Sequence, residues 1–167
     1  TLMVSLTLSE ATSILVGQAA GRKDPVEMRR YGFASIKLVA ILLAMTSIVF
    51  IVYPQWLISI YINTHDPALA DIVSLSALFL YVAAIRQIID GVRNTITGAL
   101  RGLHDSQYPM YTGIAVMWCI GLPLGILLAF PAKMGPLGFP LAASVAFIAG
   151  AAILCVRFNR KTRLPSA

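Results

Sequence analysis

Five apolar stretches, each near twenty residues or longer, limit what this chain can fold into more than any other feature. A helix needs roughly 20 apolar residues to cross about 30 Å of hydrocarbon. Hydrophobic residues make up 58% of the chain and charged residues only 12%, against about 25% charged in an ordinary soluble domain. A soluble core of this length could not bury so much apolar surface. The sequence therefore predicts an all-α, polytopic membrane protein.

The five stretches are the predicted transmembrane segments A to E. They cover about residues 1–20, 32–53, 67–100, 109–130 and 138–158, and a basic tail covers 159–167. Helix-start signals precede two of them: Asp24-Pro25-Val26-Glu27 before B and Asp66-Pro67 before C, each a capping residue followed by a first-turn proline. Pro123 lacks a backbone N–H, so we expect segment D to bend near mid-membrane.

The charges between the segments predict how the chain lies in the membrane. With five crossings, the A–B loop, the C–D connection and the tail share one side, which holds nine basic residues: Arg22, Lys23, Arg29, Arg30, Arg101, Arg157, Arg160, Lys161 and Arg163. The opposite side holds Lys133. The positive-inside rule places the basic side in the cytoplasm of a plasma membrane, as in a bacterial inner membrane. Since these charges sit between apolar runs and do not stripe one face, we expect no nucleic-acid partner.

Segment C carries charged and polar residues where hydrocarbon is expected. A charge at that depth costs roughly 2.5–3.5 kcal/mol on the insertion scale. Arg86, Gln87, Asp90 and Asn94 fall on one helical stripe because they are spaced by three or four residues, and Arg93 lies at its edge. Two readings stay open at this point. The stripe is either a structural Arg86–Asp90 pair with amides bonded to neighbouring helices, or a cation or substrate site in a wet cavity.

Glu10 is the second carboxylate inside an apolar segment. It lies eleven residues before Gly21, and Asp90 lies eleven residues before Arg101. If A and C end at the same level, the two carboxylates share a depth near the middle of the membrane. Glu10 therefore joins Asp90, Arg86, Gln87 and Asn94 as a candidate site residue. The sequence contains no HExxH or GxSxG motif, so we predict no enzyme and no catalytic residues.

Several short runs resemble one family of transporters. They are Val16–Gly21, Gln87-Ile-Ile-Asp90-Gly91, Gly98–Gly102 with Asp105, Trp118–Gly125 and Gly135–Phe139. In this order, over nearly the whole chain, they resemble the carboxyl-terminal half of the multidrug and toxic compound extrusion (MATE) family. The resemblance implies that A to E match transmembrane helices eight to twelve of a twelve-helix, two-lobed antiporter. The chain would then form most of one six-helix lobe of a longer protein, with the amino-terminal lobe as its partner.

The resemblance also implies a function. Members export drugs or other organic compounds in exchange for sodium ions or protons, with no other cofactor. Asp90 falls on the tenth-helix aspartate that belongs to the cation-coupling site in many members, which makes it a candidate sodium ligand. Arg86 stands where many relatives carry an aromatic residue, and its fixed charge would compete with sodium for Asp90. The alternative is a flippase of lipid-linked oligosaccharide from the same superfamily, which a basic cavity around Arg86 and Arg93 would favour.

Overall fold

A computed structural model describes residues 2–60, 70–131 and 138–163, and all regular structure in these ranges is helical. This confirms the predicted all-α class. The helices are α1 (Leu2–Gly21), α2 (Pro25–Val52), α3 (Pro54–Ser59), α4 (Ala70–Gly102), α5 (Gln107–Val116), a π-helical segment (Met117–Gly121), α6 (Leu122–Ala129) and α7 (Gly138–Arg163). The predicted start of segment C at Pro67 and the end of the tail lie outside the described residues.

Four described stretches are long and apolar enough to cross a membrane: 25–52, 73–102, 107–129 and 138–163. They match predicted segments B to E. Predicted segment A corresponds to α1, a helix of 20 residues from Leu2 to Gly21.

The helix ends differ from the predicted spans in ways that the sequence explains. The Asp24 side chain accepts hydrogen bonds from the N–H groups of Val26 (3.0 Å) and Glu27 (3.1 Å), so α2 begins at Pro25 and not near residue 32. The apolar stretch marks the membrane span, whereas the capping residue marks the helix. Likewise α7 continues past Phe158 to Arg163, so most of the predicted tail is helical.

Helix α4 is the centre of the bundle, and α1, α2 and α7 pack around it. Helix α1 runs parallel to α4, and residues 85 to 89 positions apart meet: Ser9 contacts Asn94 and Gly98, and Ser13 and Gly17 contact Gly102. Helix α7 is also parallel to α4, and α2 is antiparallel. The buried apolar core lies where α1, α4 and α7 meet and contains Val16, Ile96, Ala99, Leu100, Leu154 and Phe158.

The contact between α1 and α4 leaves no room for a side chain at Gly98. A Cβ atom there would overlap the backbone carbonyl of Ser9. At Gly102, one turn later, an added Cβ would lie 2.5 Å from the carbonyl oxygen of Ser13. Small residues at four-residue spacing permit such close approach of membrane helices. This pair of glycines therefore sets the register of α1 on α4.

An ion-pair cluster closes the end of the bundle where α4 leads into α5. One carboxylate oxygen of Asp105 accepts hydrogen bonds from Arg157 (3.1 Å) and Lys161 (3.0 Å) of α7. The Arg157 guanidinium also lies 4.5 Å from the centre of the Tyr108 ring. Burial alone would raise the pKa of Asp105, but hydrogen bonds and attraction from Lys161 and Arg157 outweigh it and hold the pKa below its ordinary value. We call this end, which holds the basic side of the sequence, the basic end.

Predicted segment D contains the π-helical segment, which ends at Gly121, two residues before Pro123; the predicted bend at Pro123 stays a prediction. A proline supplies no N–H to the preceding turn, and π-helical turns frequently occur at functional sites. The interrupted helix, which comprises α5, the π segment and α6, packs chiefly against α7.

Replacement of Gly98 by alanine tests the α1–α4 contact. Because the Ser9 carbonyl is backbone and cannot swing aside, we expect Gly98→Ala to lower stability by about 1–3 kcal/mol, the usual cost of overpacking. Gly113→Ala is the matched control, since nothing lies within 4 Å of a Cβ added at Gly113 and alanine favours helix. The measurement is the melting temperature of the purified full-length protein in detergent. Equal melting temperatures for the two variants would contradict the close contact.

Candidate cation and substrate site

The central ion pair of α4 joins Asp90 to Arg93. Oδ1 of Asp90 accepts from Nη2 of Arg93 at 3.0 Å and from Nε at 3.3 Å, and both side chains are about one quarter exposed, at 27% and 25%. Nη2 of Arg93 also donates to Oδ1 of Asn94 at 3.2 Å. On its other side, the guanidinium lies 4.6 Å from the centre of the Phe147 ring of α7. The pair is therefore held by two helices.

The Arg86–Asp90 pair, which one of the two open readings assumed, is not formed. No hydrogen bond or ion pair joins Arg86 to another described residue. The reason is the tilt of helical side chains toward the helix amino terminus. Arg93, three residues after Asp90, reaches back to it, whereas Arg86, four residues before it, points away.

The two amides of the stripe fasten α4 to its neighbours. Nε2 of Gln87 donates to Oγ of Ser47 on α2 at 2.6 Å, and Ser47 in turn donates to the Ala84 carbonyl at 2.7 Å. On the other side, Nδ2 of Asn94 donates to Oγ of Ser5 on α1 at 3.4 Å. The structural reading of the stripe assumed such bonds from its amides to neighbouring helices, and Gln87 and Asn94 make them.

A polar cavity of about 150 Å³ lies beside this ion pair, and its lining includes Ser5, Leu43, Phe50, Ala83, Arg86, Gln87 and Asp90. Oδ2 of Asp90 makes no hydrogen bond to a described residue. The cavity has the volume for several waters and the polar groups that hold them. Asp90 thus has one oxygen held by Arg93 and one left for a proton, a water or a cation.

Arg86 lines a second space as well. An apolar groove of about 390 Å³ is lined by Arg86, Met117, Trp118, Gly121, Leu122, Phe139, Pro140 and Ala143. Arg86 is exposed and stands at the midpoint of α4. It therefore connects the polar cavity with the apolar groove.

Glu10 does not join this group. The contacts between α1 and α4 join residues 85 to 89 positions apart, which places Glu10 level with residues 95–99, about 8–13 Å beyond Asp90 along the helix. The predicted equal depth is wrong because α1 extends beyond the end of α4 at the basic end. Glu10 is exposed, while Ser5 and Ser9 on the same helix face α4.

The described residues contain no cluster of three His, Cys, Asp or Glu side chains that could hold a metal ion. Asp90 is the one carboxylate among the described residues that line the polar cavity, and its role as a sodium ligand stays a prediction. From the sequence we did not single out Arg93 as the partner of Asp90 or Phe147 as a neighbour of Arg93. The sequence does contain a signal for Arg93, because it follows Asp90 by three residues on the same helix. No local sequence pattern indicates Phe147.

The sequence model of the MatE family matches residues 1–127. The chain belongs to the MatE family. Over 162 residues it is 38% identical to the multidrug resistance protein NorM of Burkholderia vietnamiensis, and 35% identical to a probable multidrug resistance protein NorM of Mesorhizobium japonicum. These alignments cover 96% and 97% of this chain but 35% of each relative. The predicted family is confirmed, and the chain spans about a third of the length of the curated relatives it matches.

A solved structure has the same fold. The crystal structure of the eukaryotic MATE transporter AtDTX14 superposes with a TM-score of 0.75 at 21% sequence identity, covering 96% of this chain and 36% of that one. The helices described above are therefore arranged as in part of a MATE transporter, which makes this chain part of an integral membrane protein.

Removal of Arg93 tests which arginine holds Asp90. We expect Arg93→Ala to lower the stability of the full-length protein by up to roughly 3 kcal/mol, because it leaves a half-buried carboxylate unpaired. Adding Asp90→Ala should recover part of the loss. Arg86→Ala is the matched control on the same helix and should melt close to wild type. If Arg86→Ala destabilised the protein as much as Arg93→Ala, the pairing described here would be refuted.

Proposed function

We propose that this chain forms part of the carboxyl-terminal lobe of a secondary active antiporter that exports drugs or other organic compounds. The observation that carries the proposal is Asp90, a carboxylate in the middle region of a long apolar helix with one oxygen open to a polar cavity. Charged groups kept at such depth mark ion and substrate paths in membrane proteins. The names of the relatives, multidrug resistance proteins, support the substrate class.

We propose the proton as the coupling ion. A sodium ion needs several oxygen ligands, and two of the oxygens close to Oδ2 of Asp90, its own Oδ1 and Oδ1 of Asn94, already accept hydrogen bonds from Arg93. The guanidinium would also repel a second cation so close by. A proton needs a single oxygen, and Oδ2 of Asp90 is free to take it.

Protonation would then act through the ion pair. A neutral Asp90 holds Arg93 less strongly, because the hydrogen bonds at 3.0 and 3.3 Å then join the charged guanidinium to an uncharged carboxyl group. The freed guanidinium shifts its contacts toward Asn94 and Phe147. Because Asn94 is bonded to α1 and Phe147 belongs to α7, a proton at Asp90 changes how three helices meet. The π segment and Pro123 give the interrupted helix a point at which to bend.

The partners follow from this proposal. They are the organic substrate, the lipid bilayer and the amino-terminal lobe of the same transporter. We place the protein in a plasma membrane with the basic loops and the carboxyl terminus in the cytoplasm, because nine basic residues share that side. The proposed role is transport without chemical change of the substrate, so no catalytic residue is assigned.

The flippase of lipid-linked oligosaccharide remains a second candidate because of Arg86. An exposed arginine beside an apolar groove suits an anionic headgroup with a lipid tail as well as a smaller compound. A transport assay that offers both kinds of substrate separates the two candidates.

Replacement of Asp90 by asparagine tests the coupling role. In proteoliposomes of the full-length transporter, we expect a pH gradient to drive drug efflux by wild type and a sodium gradient alone to drive little. Asp90→Asn should reduce the pH-driven efflux by at least about 100-fold while remaining folded, because the amide cannot carry the coupling proton.

Glu10→Gln is the matched control, since it removes the other intramembrane carboxylate. It should keep efflux near the wild-type rate. Wild-type efflux by Asp90→Asn would place the coupling elsewhere, and transfer of a lipid-linked oligosaccharide without drug efflux would favour the flippase.

A further inference from the structure

We infer that the compound carried by this transporter is an amphipathic organic anion, whose acidic group pairs with Arg86 while its apolar body fills the groove between α4, α6 and α7. The inference rests on the proposed export function and names its substrate class. We infer an anionic and not a cationic compound because the described lining of the groove contains an arginine and no acidic residue.

The groove exists because the interrupted helix packs chiefly against α7 and leaves a space beside α4. The π segment supplies Met117, Trp118 and Gly121 to one wall. Phe139, Pro140 and Ala143 at the start of α7 form the other wall. A π turn adds a residue to the local repeat and so rotates the side chains that follow it. The irregular turn is what directs these side chains at the groove.

The charge of the groove is one-sided. Its described lining holds one ionisable side chain, Arg86, and no acidic residue. A guanidinium stays protonated in proteins, and holding its charge within the membrane is costly unless a partner offsets it. Asp90 forms its ion pair with Arg93, and no ion pair joins it to Arg86 among the described residues. A carboxylate or sulfonate on a ligand supplies the missing charge and fits the planar fork of the guanidinium with two parallel hydrogen bonds.

Size and surface fit the rest of such a ligand. A volume of about 390 Å³ lies within the range of roughly 300–1,000 Å³ that binds drug-sized molecules. Trp118 is 67% exposed and Phe139 49% exposed, so two aromatic faces are available for a flat apolar body. A cationic compound of the same shape would meet Arg86 without a carboxylate to compensate. The groove therefore favours the anion.

A matched set of probes tests this inference. Three compounds share one naphthalene body and carry a sulfonate, an uncharged carboxamide or a trimethylammonium group. Binding and gradient-driven export are measured with the full-length transporter in vesicles of neutral phosphatidylcholine. The variants are Arg86→Gln and Arg86→Lys. Arg101→Gln is the matched control, because it removes an exposed arginine from the basic end of the same helix.

We expect wild type to bind the sulfonate at least about tenfold more tightly than the carboxamide, as one charge-assisted contact allows, and the ammonium compound most weakly. Arg86→Gln should abolish the preference, Arg86→Lys should keep part of it, and Arg101→Gln should leave it unchanged. An unaltered preference in Arg86→Gln, or tighter binding of the ammonium compound by wild type, would overturn the inference.

Two further outcomes separate this inference from the proposed function. Export of the ammonium compound alone would leave the exporter standing and refute the anionic substrate. Sulfonate binding that depends on Arg86, without export of any probe under either gradient, would support the anion site and refute the exporter. If added phosphatidylglycerol displaced the sulfonate, the groove would be a lipid site and the inference would fail.

Discussion

The ion pair between Asp90 and Arg93 is the interaction around which the described helices are organised. An unpaired charge in apolar surroundings costs free energy, so the helices around α4 supply partners for its charged and polar side chains. Phe147 of α7 lies against the guanidinium, Ser5 of α1 bonds Asn94, and Ser47 of α2 bonds Gln87. Each of these contacts fixes a different helix to the same charged turn. Two of these contacts, those of Phe147 and Asn94, involve Arg93, the partner of Asp90, and so link α7 and α1 to the ion pair.

Much of this arrangement follows from the sequence by local rules. Apolar length predicts the spans, Asp24 predicts the start of α2, and three- and four-residue spacing predicts one polar stripe on α4. Interhelical contacts are less accessible to such rules. The depth of Glu10 depends on where Gly98 meets Ser9, a packing register that no short window reveals. The choice of Arg93 over Arg86 was accessible in principle, because side-chain tilt along a helix decides which neighbour reaches back.

Helix α4 presents two environments that share Arg86. Toward α1 and α2 lies the polar cavity with a carboxylate oxygen; toward the interrupted helix and α7 lies an apolar groove with a single positive charge. A transporter needs an ion site and a substrate site that influence each other through a common element. We propose that in this chain the element is the turn of helix between Arg86 and Asp90, with the proton bound at Asp90 and the organic compound in the groove.

Infrared difference spectroscopy of the full-length transporter during a pH change tests most directly whether Asp90 takes up the coupling proton. A protonated carboxyl has a carbonyl stretch that the ionised form lacks. We expect wild type to gain the carbonyl band of a protonated carboxyl group when the pH is lowered to a value at which efflux operates. Asp90→Asn should lose the band and Glu10→Gln should keep it. The same band in wild type and in Asp90→Asn would contradict the account.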